Sequence, residues 1–273
     1  MQAALFSQPN GIRRATAGVA FVGVLDDYTT GLTGLHCACK RLLASYEGPL
    51  VRIRRSSDDA ELDIDPKADG WLDESAVSAF VGGSDWFFSV IYDQSGSSNH
   101  IYSPTTGQQP QGAFDANGRA YGFAPGAGFT TTTLLTVGSI GSAVTDSTTW
   151  SVGKSEAYAL DAGTVAFSDF TERRLLNYSS TSEAILATAG TGASLAGTTT
   201  AAYSPTLQVG AAGHRLSNGA AAATGTKPSS AKTLAFIGFG AGGGGATWSQ
   251  NSRFYACGFW LSDLGDSATD EIQ

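Results

Sequence analysis

Tyr46-Glu47-Gly48-Pro49-Leu50-Val51-Arg52-Ile53-Arg54-Arg55-Ser56-Ser57-Asp58, then Tyr92-Asp93-Gln94-Ser95-Gly96-Ser97-Ser98-Asn99-His100, then Gly118-Arg119-Ala120-Tyr121-Gly122: these three pieces decide how the chain is read. In the first, apolar Leu50, Val51 and Ile53 are interleaved with Arg52, Arg54 and Arg55, as in a half-exposed strand, and residues 56–59 supply a turn. Further on, Asp73 is placed to cap a short helix through Val81, because its carboxylate can accept from the free amides of the first turn, and Gly82-Gly83 stops it. Residues 86–92 form a continuous aromatic and β-branched run, expected as a central strand buried on both faces.

The Tyr92 to His100 piece supports two roles. As a binding groove, Asp93, Gln94, Asn99 and His100 would match the vicinal hydroxyls of a sugar, with Tyr92 or Tyr102 stacked on a pyranose face. As a scaffold, Asp93 and Gln94 would bond the backbone of the turn after the buried strand, and Gly96 would take a conformation closed to other residues.

Working outward, residues 32–46 place Leu35, Cys39, Leu42 and Leu43 at helix-like spacing, and Gly48-Pro49 would end such a helix. Val19, Phe21 and Val22 suit a first strand. Arg13-Arg14 before an apolar run is only a weak export signal, since no small-x-small cleavage site follows it. Residues 1–25 are therefore expected to be an arm plus a first strand, and residues 26–273 a single domain. After Phe123 come short strand candidates at 149–152, 164–170, 174–178, 183–188, 206–212, 214–223, 233–239 and 253–261, the spacing of a sandwich or jelly roll. Asn218-Gly219 marks a hairpin turn.

Charged residues make up 15% of the 273, and Gly reaches 35, which favours strands and tight turns over amphipathic helices. The net charge of -8 repels nucleic acid and anionic membranes, and no apolar run approaches the roughly 20 residues of a membrane span. Cys37, Cys39 and Cys257 have no zinc spacing and are expected to be reduced and buried, with a Cys37–Cys257 bridge left open. Asp63, Asp65 and Asp69 are spaced like cation ligands. Lys67 and Ala68 stand where an EF-hand needs a ligand and its turn glycine, so a solvated acidic loop is expected. No cofactor is implied beyond weak calcium binding elsewhere. The glycines of 242–245 lack the Lys-Ser/Thr of a phosphate loop, and His36, His100 and His214 are scattered. Trp86, Trp150 and Trp260 lie in apolar runs and read as core, whereas Trp248, beside the glycine segment, is a candidate ligand contact.

The order of the quoted pieces resembles the catalytic domain of α-L-arabinofuranosidase B, and equally the LamG-like sandwich modules of bacteriophage virion proteins, which share the pattern but rarely the enzyme's carboxylates. The resemblance is tight over 32–123 and rests on strand order over 150–261. It implies a concanavalin-like (LamG-like) antiparallel β-sandwich or jelly roll, with two short helices near the N-terminus and a short terminal helix beginning within 263–273. In the enzyme the proton donor is an Asp in a Gly-Ile-Gly-Gly-Asp setting. The matching segment here, Ile237-Gly238-Phe239-Gly240-Ala241-Gly242, puts glycine in that place. The nucleophile is a Glu in a Met-Glu-Ala-Ile-Tyr setting, and Glu172 and Glu183 lie in the corresponding third without those neighbours.

A motif common to enzymes and non-catalytic modules favours the scaffold role for Asp93 and its neighbours. With the donor absent, the expectation is a non-catalytic phage virion structural protein of tail, collar, fibre or head decoration. It would be a homo-oligomer among other virion proteins, binding host-surface carbohydrate weakly through Asp93, Gln94, Asn99, His100, Tyr102 and Trp248, without metal, nucleic acid or membrane. The alternatives are a secreted α-L-arabinofuranosidase-like glycoside hydrolase and a bacterial carbohydrate-binding module.

Overall fold

The computed structural model is an antiparallel β-sandwich. It describes residues 21–123, 146–155 and 252–271 continuously and, between 135 and 239, further strands, among them Leu135–Thr136, Ile140–Val144, Ala202–Tyr203, Lys232–Leu234 and those named below. The first part runs β1 (Leu32–Cys37), β2 (Val51–Arg55), β3 (Glu61–Ile64), α1 (Glu74–Val81), β4 (Trp86–Ile91), β5 (Ile101–Tyr102), β6 (Gln111–Phe114) and β7 (Ala120–Phe123).

β2 lies between β3 and β4, with Val51 opposite both Ile64 and Ile91. Val51 and Ile53 are buried as their alternation requires. Arg54 is buried too, through its stem. Its Nε donates to Gln109 Oε1 at 2.7 Å, its Nη1 pairs with Asp59 at 2.6 Å, and the guanidinium lies over the Phe87 ring. α1 forms as expected: Asp73 Oδ1 accepts from the Ser75 and Ala76 amides at 3.0 and 3.1 Å, and Gly82 ends the helix at φ 59°. Its buried face is Val77 and Val81. β4 is buried at Trp86, Phe88, Ser89 and Ile91, which confirms a strand covered on both faces.

Residues 32–46 are not a helix. Leu35, Cys39, Leu42 and Leu43 are all buried, but they reach the core from β1 and from the irregular segment after it. β1 pairs with the strand Ser252–Trp260, with His36 opposite Cys257, 221 residues away. A ladder of that length outweighs a local spacing that a strand can also present. Near the N-terminus, Phe21 and Val22 are not in a strand, and Val19 lies outside the described residues. A 3₁₀ turn at Asp26–Tyr28 follows, so α1 is the one α-helix found before β4 among the described residues.

Ser252–Trp260 is the spine of the fold, paired with β1 on one side and with Ser147–Ser155 on the other. Ser147–Ser155 continues to Thr206–Gly210, then Gly213–Asn218, then Ala221–Gly225. Asn218 faces Ala221, so a hairpin is found there, but Asn218 is its last paired residue and not a turn residue as expected; residues 219–220 lie outside the described residues. A second ladder runs Ile237–Phe239, Ala162–Ser168, Arg173–Ser179, Ala184–Ala189, Ser194–Thr198. The C-terminal helix is present at Asp266–Glu271.

The core contains Trp260, Phe88, Phe259, Leu35, Leu50, Ile53, Ile64, Leu72, Ile91 and Ile101, each essentially inaccessible. Trp86 and Trp150 are also buried, so the three tryptophans assigned to the core are there, and the Trp260 indole donates to the Tyr28 carbonyl at 2.6 Å. Gly112 of β6 passes directly over Trp86, whose ring packs edge-on to Phe88 at 5.0 Å between centroids. A methyl group at Gly112 would overlap that indole, which has nowhere to go. Gly112→Ala is therefore expected to cost about 2 kcal/mol or more in a urea titration, the usual range for overpacking a rigid site.

Candidate functional site

The Tyr92 to His100 motif folds into a buried knot at the end of β4. Asp93, 2% exposed, accepts four hydrogen bonds. Oδ1 takes the Leu35 amide at 2.9 Å and the Ser95 amide at 2.8 Å. Oδ2 takes the Ser95 hydroxyl at 2.8 Å and the Asn99 amide at 2.9 Å. Gln94, equally buried, accepts from the Leu42 amide through Oε1 and donates through Nε2 to the Lys40 carbonyl. Asn99 Nδ2 donates to the Thr33 carbonyl, and His100 Nδ1 accepts from the Asp93 amide at 3.0 Å. Gly96 sits at φ 85°, as its place in the turn demands. These groups tie β1, the segment after it and β4 together, and both carboxylate oxygens of Asp93 and the side-chain amide of Gln94 are engaged in doing so. Asp93 and Gln94 thus serve the scaffold, while Asn99 and His100 are partly buried beside them. Tyr102, half exposed on β5, remains available, and Trp248 lies outside the described residues.

Beside this knot is a cluster that sequence reasoning did not single out. His36 is fully buried; its Nε2 donates to the Asn99 carbonyl at 2.8 Å, and its Nδ1 faces the Cys257 thiol at 3.8 Å. All three cysteines are free and buried, with the Cys37 and Cys39 sulfurs 3.5 Å apart. Burial holds the His36 imidazole below its ordinary pKa, partly offset by the Asp93 carboxylate. In the unfolded chain this histidine takes up a proton near pH 6.5, whereas the folded site resists it. Its contribution to stability is therefore complete above about pH 6.5 and declines as pH falls through that value toward the lower folded pKa. The urea midpoint is expected to drop on acidification from about pH 7 to pH 5, and His36→Gln is expected to flatten that slope.

Several of the described carboxylates have structural employment. Asp63 is held bidentately by Arg52 at 2.7 and 3.0 Å and accepts from Tyr92 at 2.7 Å. Arg52 keeps Asp63 below the usual carboxylate range, and Arg55 does the same for Asp58. Glu74 pairs with Lys67 at 2.8 Å. Among the described residues, none of the resolved carboxylate shifts is upward, and an upward shift is what a proton donor at neutral pH needs. No group of three His, Cys, Asp or Glu able to hold a metal occurs among the described residues.

Glu172, Glu183 and Gly242 lie outside the described residues, but the strands adjoining them are placed. Ser168 pairs with Arg173, Ala162 with Tyr178, and Ser179 with Ala184. Phe167 pairs with Ile237 and Ala166 with Gly238, so the chain leaves Phe239 toward the end of the sheet that holds Ala162, Ser179 and Ala184. Glu183 precedes Ala184 at that end, and so does Asp161 before Ala162. Glu172 precedes Arg173 at the opposite end. Register, which a single sequence does not reveal, is what separates the two glutamates.

Residues 25–140 match the family model described as Alpha-L-arabinofuranosidase B, catalytic. An α-L-arabinofuranosidase of Hypocrea jecorina is 34% identical over 103 residues, 37% of this chain and 20% of that protein. α-L-arabinofuranosidase B of Aspergillus niger is 34% identical over 115 residues, 41% of this chain and 22% of that protein. These matches span about a fifth of the length of the curated relatives. The fold is that of a GH54 α-L-arabinofuranosidase solved with a cyclic sulfate inhibitor, at TM-score 0.68 and 18% identity over 91% of this chain and 64% of that one. An arabinofuranosidase solved with arabinofuranosyl-α-1,2-xylobiose superposes at TM-score 0.69, with the same identity and coverage.

The expectation of a non-catalytic phage virion structural protein is overturned by these matches, which are to an enzyme's catalytic domain and to arabinofuranosidases. It rested on Gly242, and glycine in one segment leaves open a carboxyl group supplied by another loop at the same sheet end. Over residues 25–140 the chain is related to the catalytic domain of α-L-arabinofuranosidase B.

Proposed function

We propose that this chain is the catalytic module of a glycoside hydrolase that removes α-L-arabinofuranosyl groups from a polysaccharide outside the cell. The observation that carries this is the match of residues 25–140 to the catalytic domain of α-L-arabinofuranosidase B, joined to 34% identity with enzymes of that name. The buried knot around Asp93 supports the fold that presents the site and does not itself touch sugar.

Hydrolysis requires two carboxyl groups flanking the glycosidic bond, about 5 to 5.5 Å apart when configuration is retained, one to attack the sugar and one to protonate the departing oxygen. Glu183 and Asp161 are the acidic residues adjoining the starts of Ala184–Ala189 and Ala162–Ser168. Those strands lie on either side of Arg173–Ser179, so their starts are two strand spacings apart, about 9 to 10 Å. Glu183 and Asp161 are the candidate carboxyl pair on this basis. Release of 4-nitrophenol from 4-nitrophenyl α-L-arabinofuranoside tests the proposal, with 4-nitrophenyl β-D-xylopyranoside as the comparison substrate.

A further inference from the structure

A polar cavity of about 340 Å³ opens in the well-matched part of the chain, lined by Lys67, Trp71, Glu74, Asn117, Gly118 and Arg119. Its walls are fixed. Trp71 is paired with Lys40 in an isolated backbone bridge, and its amide donates to Asp69 at 3.1 Å. Opposite, Asp115 Oδ1 accepts from the Asn117 and Arg119 amides at 2.8 and 2.9 Å, and Gly118 takes φ 74°, so the turn that carries Asn117 and Arg119 is rigid. Tyr255 ties the same carboxylate to the spine strand.

The distribution of charge is unusual for a protein of net charge -8. Lys40 Nζ lies 4.8 Å and the Arg119 guanidinium 4.9 Å from the centre of the Trp71 ring. Neither forms an ion pair among the described residues, where the four ion pairs are Arg52–Asp63, Arg54–Asp59, Arg55–Asp58 and Lys67–Glu74. An aromatic face orients a cation without cancelling its charge. The Arg119 guanidinium is thus held ready in the cavity wall, while Lys67 is neutralised by Glu74 at 2.8 Å and Lys40 lies against the same indole outside the lining.

We infer that this cavity binds a uronic acid residue of the polysaccharide, its carboxylate on Arg119 and its hydroxyls on Asn117 and Glu74. A planar carboxylate suits the guanidinium fork. Glu74 stands close enough to repel a dianion such as phosphate, and a monovalent carboxylate with neighbouring hydroxyls fits both signs of charge. The inference rests on the glycan-directed function above and adds an anchoring site apart from the acidic residues assigned to the chemistry.

The test is calorimetric titration with a glucuronate-bearing xylo-oligosaccharide, with xylobiose as the neutral control, on the wild type and on Arg119→Gln. Arg119 is exposed, so the variant is expected to fold, and its thermal melt verifies that. Binding of the acidic sugar is expected to weaken about tenfold or more in Arg119→Gln, since hydrogen bonds to charged groups contribute roughly 1.5–3 kcal/mol. It should also weaken with added salt, while turnover of the aryl arabinofuranoside stays at the wild-type value. Equal binding of xylobiose, or unchanged affinity in Arg119→Gln, overturns the inference. Because binding and turnover are read separately, an inactive protein that still takes up the acidic sugar would contradict the hydrolase proposal and leave this site standing.

Discussion

Asp93→Ala is expected to abolish a cooperative unfolding transition near 37 °C, or to lower stability by about 3–5 kcal/mol if a folded state survives. The carboxylate serves three backbone amides, those of Leu35, Ser95 and Asn99, the first buried in the core and the other two partly buried. Each buried donor left without a partner costs roughly 1–3 kcal/mol, and these losses fall on a total of about 5–15 kcal/mol. Asp93→Asn separates the knot's structural role from a chemical one. Its oxygen can still accept from Leu35 and Ser95, but its NH₂ group meets the Asn99 amide donor to donor. An intermediate loss of stability is expected, with specific activity per folded molecule close to wild type. A variant as stable as wild type but without activity would return Asp93 to the sugar site.

Glu183→Gln is expected to lower turnover of the aryl arabinofuranoside by a factor on the order of 10² to 10⁴, the range for removing a carboxyl group that moves a proton or attacks. Glu172→Gln is expected to stay within about threefold of wild type. The contrast comes from pairing alone. Ser179 opposite Ala184 puts Glu183 at the end of the sheet toward which the chain leaves Phe239, while Ser168 opposite Arg173 puts Glu172 at the other end. Thermal melts of the two variants check that a loss of turnover is not a loss of fold. Equal loss in both, or loss in Glu172→Gln alone, would show that the opposite end carries the chemistry.

The sandwich was readable where local chemistry and global fold agree. The Asp73 cap, the Gly82 stop, the alternation of Leu50 to Arg55 and the apolar block of β4 each specify their element within a few residues, and each is found. In the second half, the spacing of Gly, Ser and Thr breaks located the strands 147–155, 162–168, 173–179, 184–189 and 252–260 to within a few residues. β1 was misread as helix because Leu35, Cys39, Leu42 and Leu43 carry a helical spacing and nothing nearby shows that Leu35 will pair with Gly258. The scaffold role of Asp93 and Gln94 was legible from their turn chemistry. The Trp71 cavity was not, because it joins Lys67, Trp71 and Glu74 to Asn117 and Arg119 from a distant segment, and only folding brings them within reach of one another. The functional class was misjudged on a single absent acid, an inference that one glycine cannot support when strand pairing sets the starts of Ala162–Ser168 and Ala184–Ala189, which follow Asp161 and Glu183, at the same end of the sheet.

Incubating the purified chain with 4-nitrophenyl α-L-arabinofuranoside and following 4-nitrophenol release is the most direct measurement. Saturable turnover well above the buffer rate, lost in Glu183→Gln and kept in Glu172→Gln, is the expected result. A folded, monodisperse protein that releases no 4-nitrophenol from this substrate at any pH between 4 and 8 would contradict it.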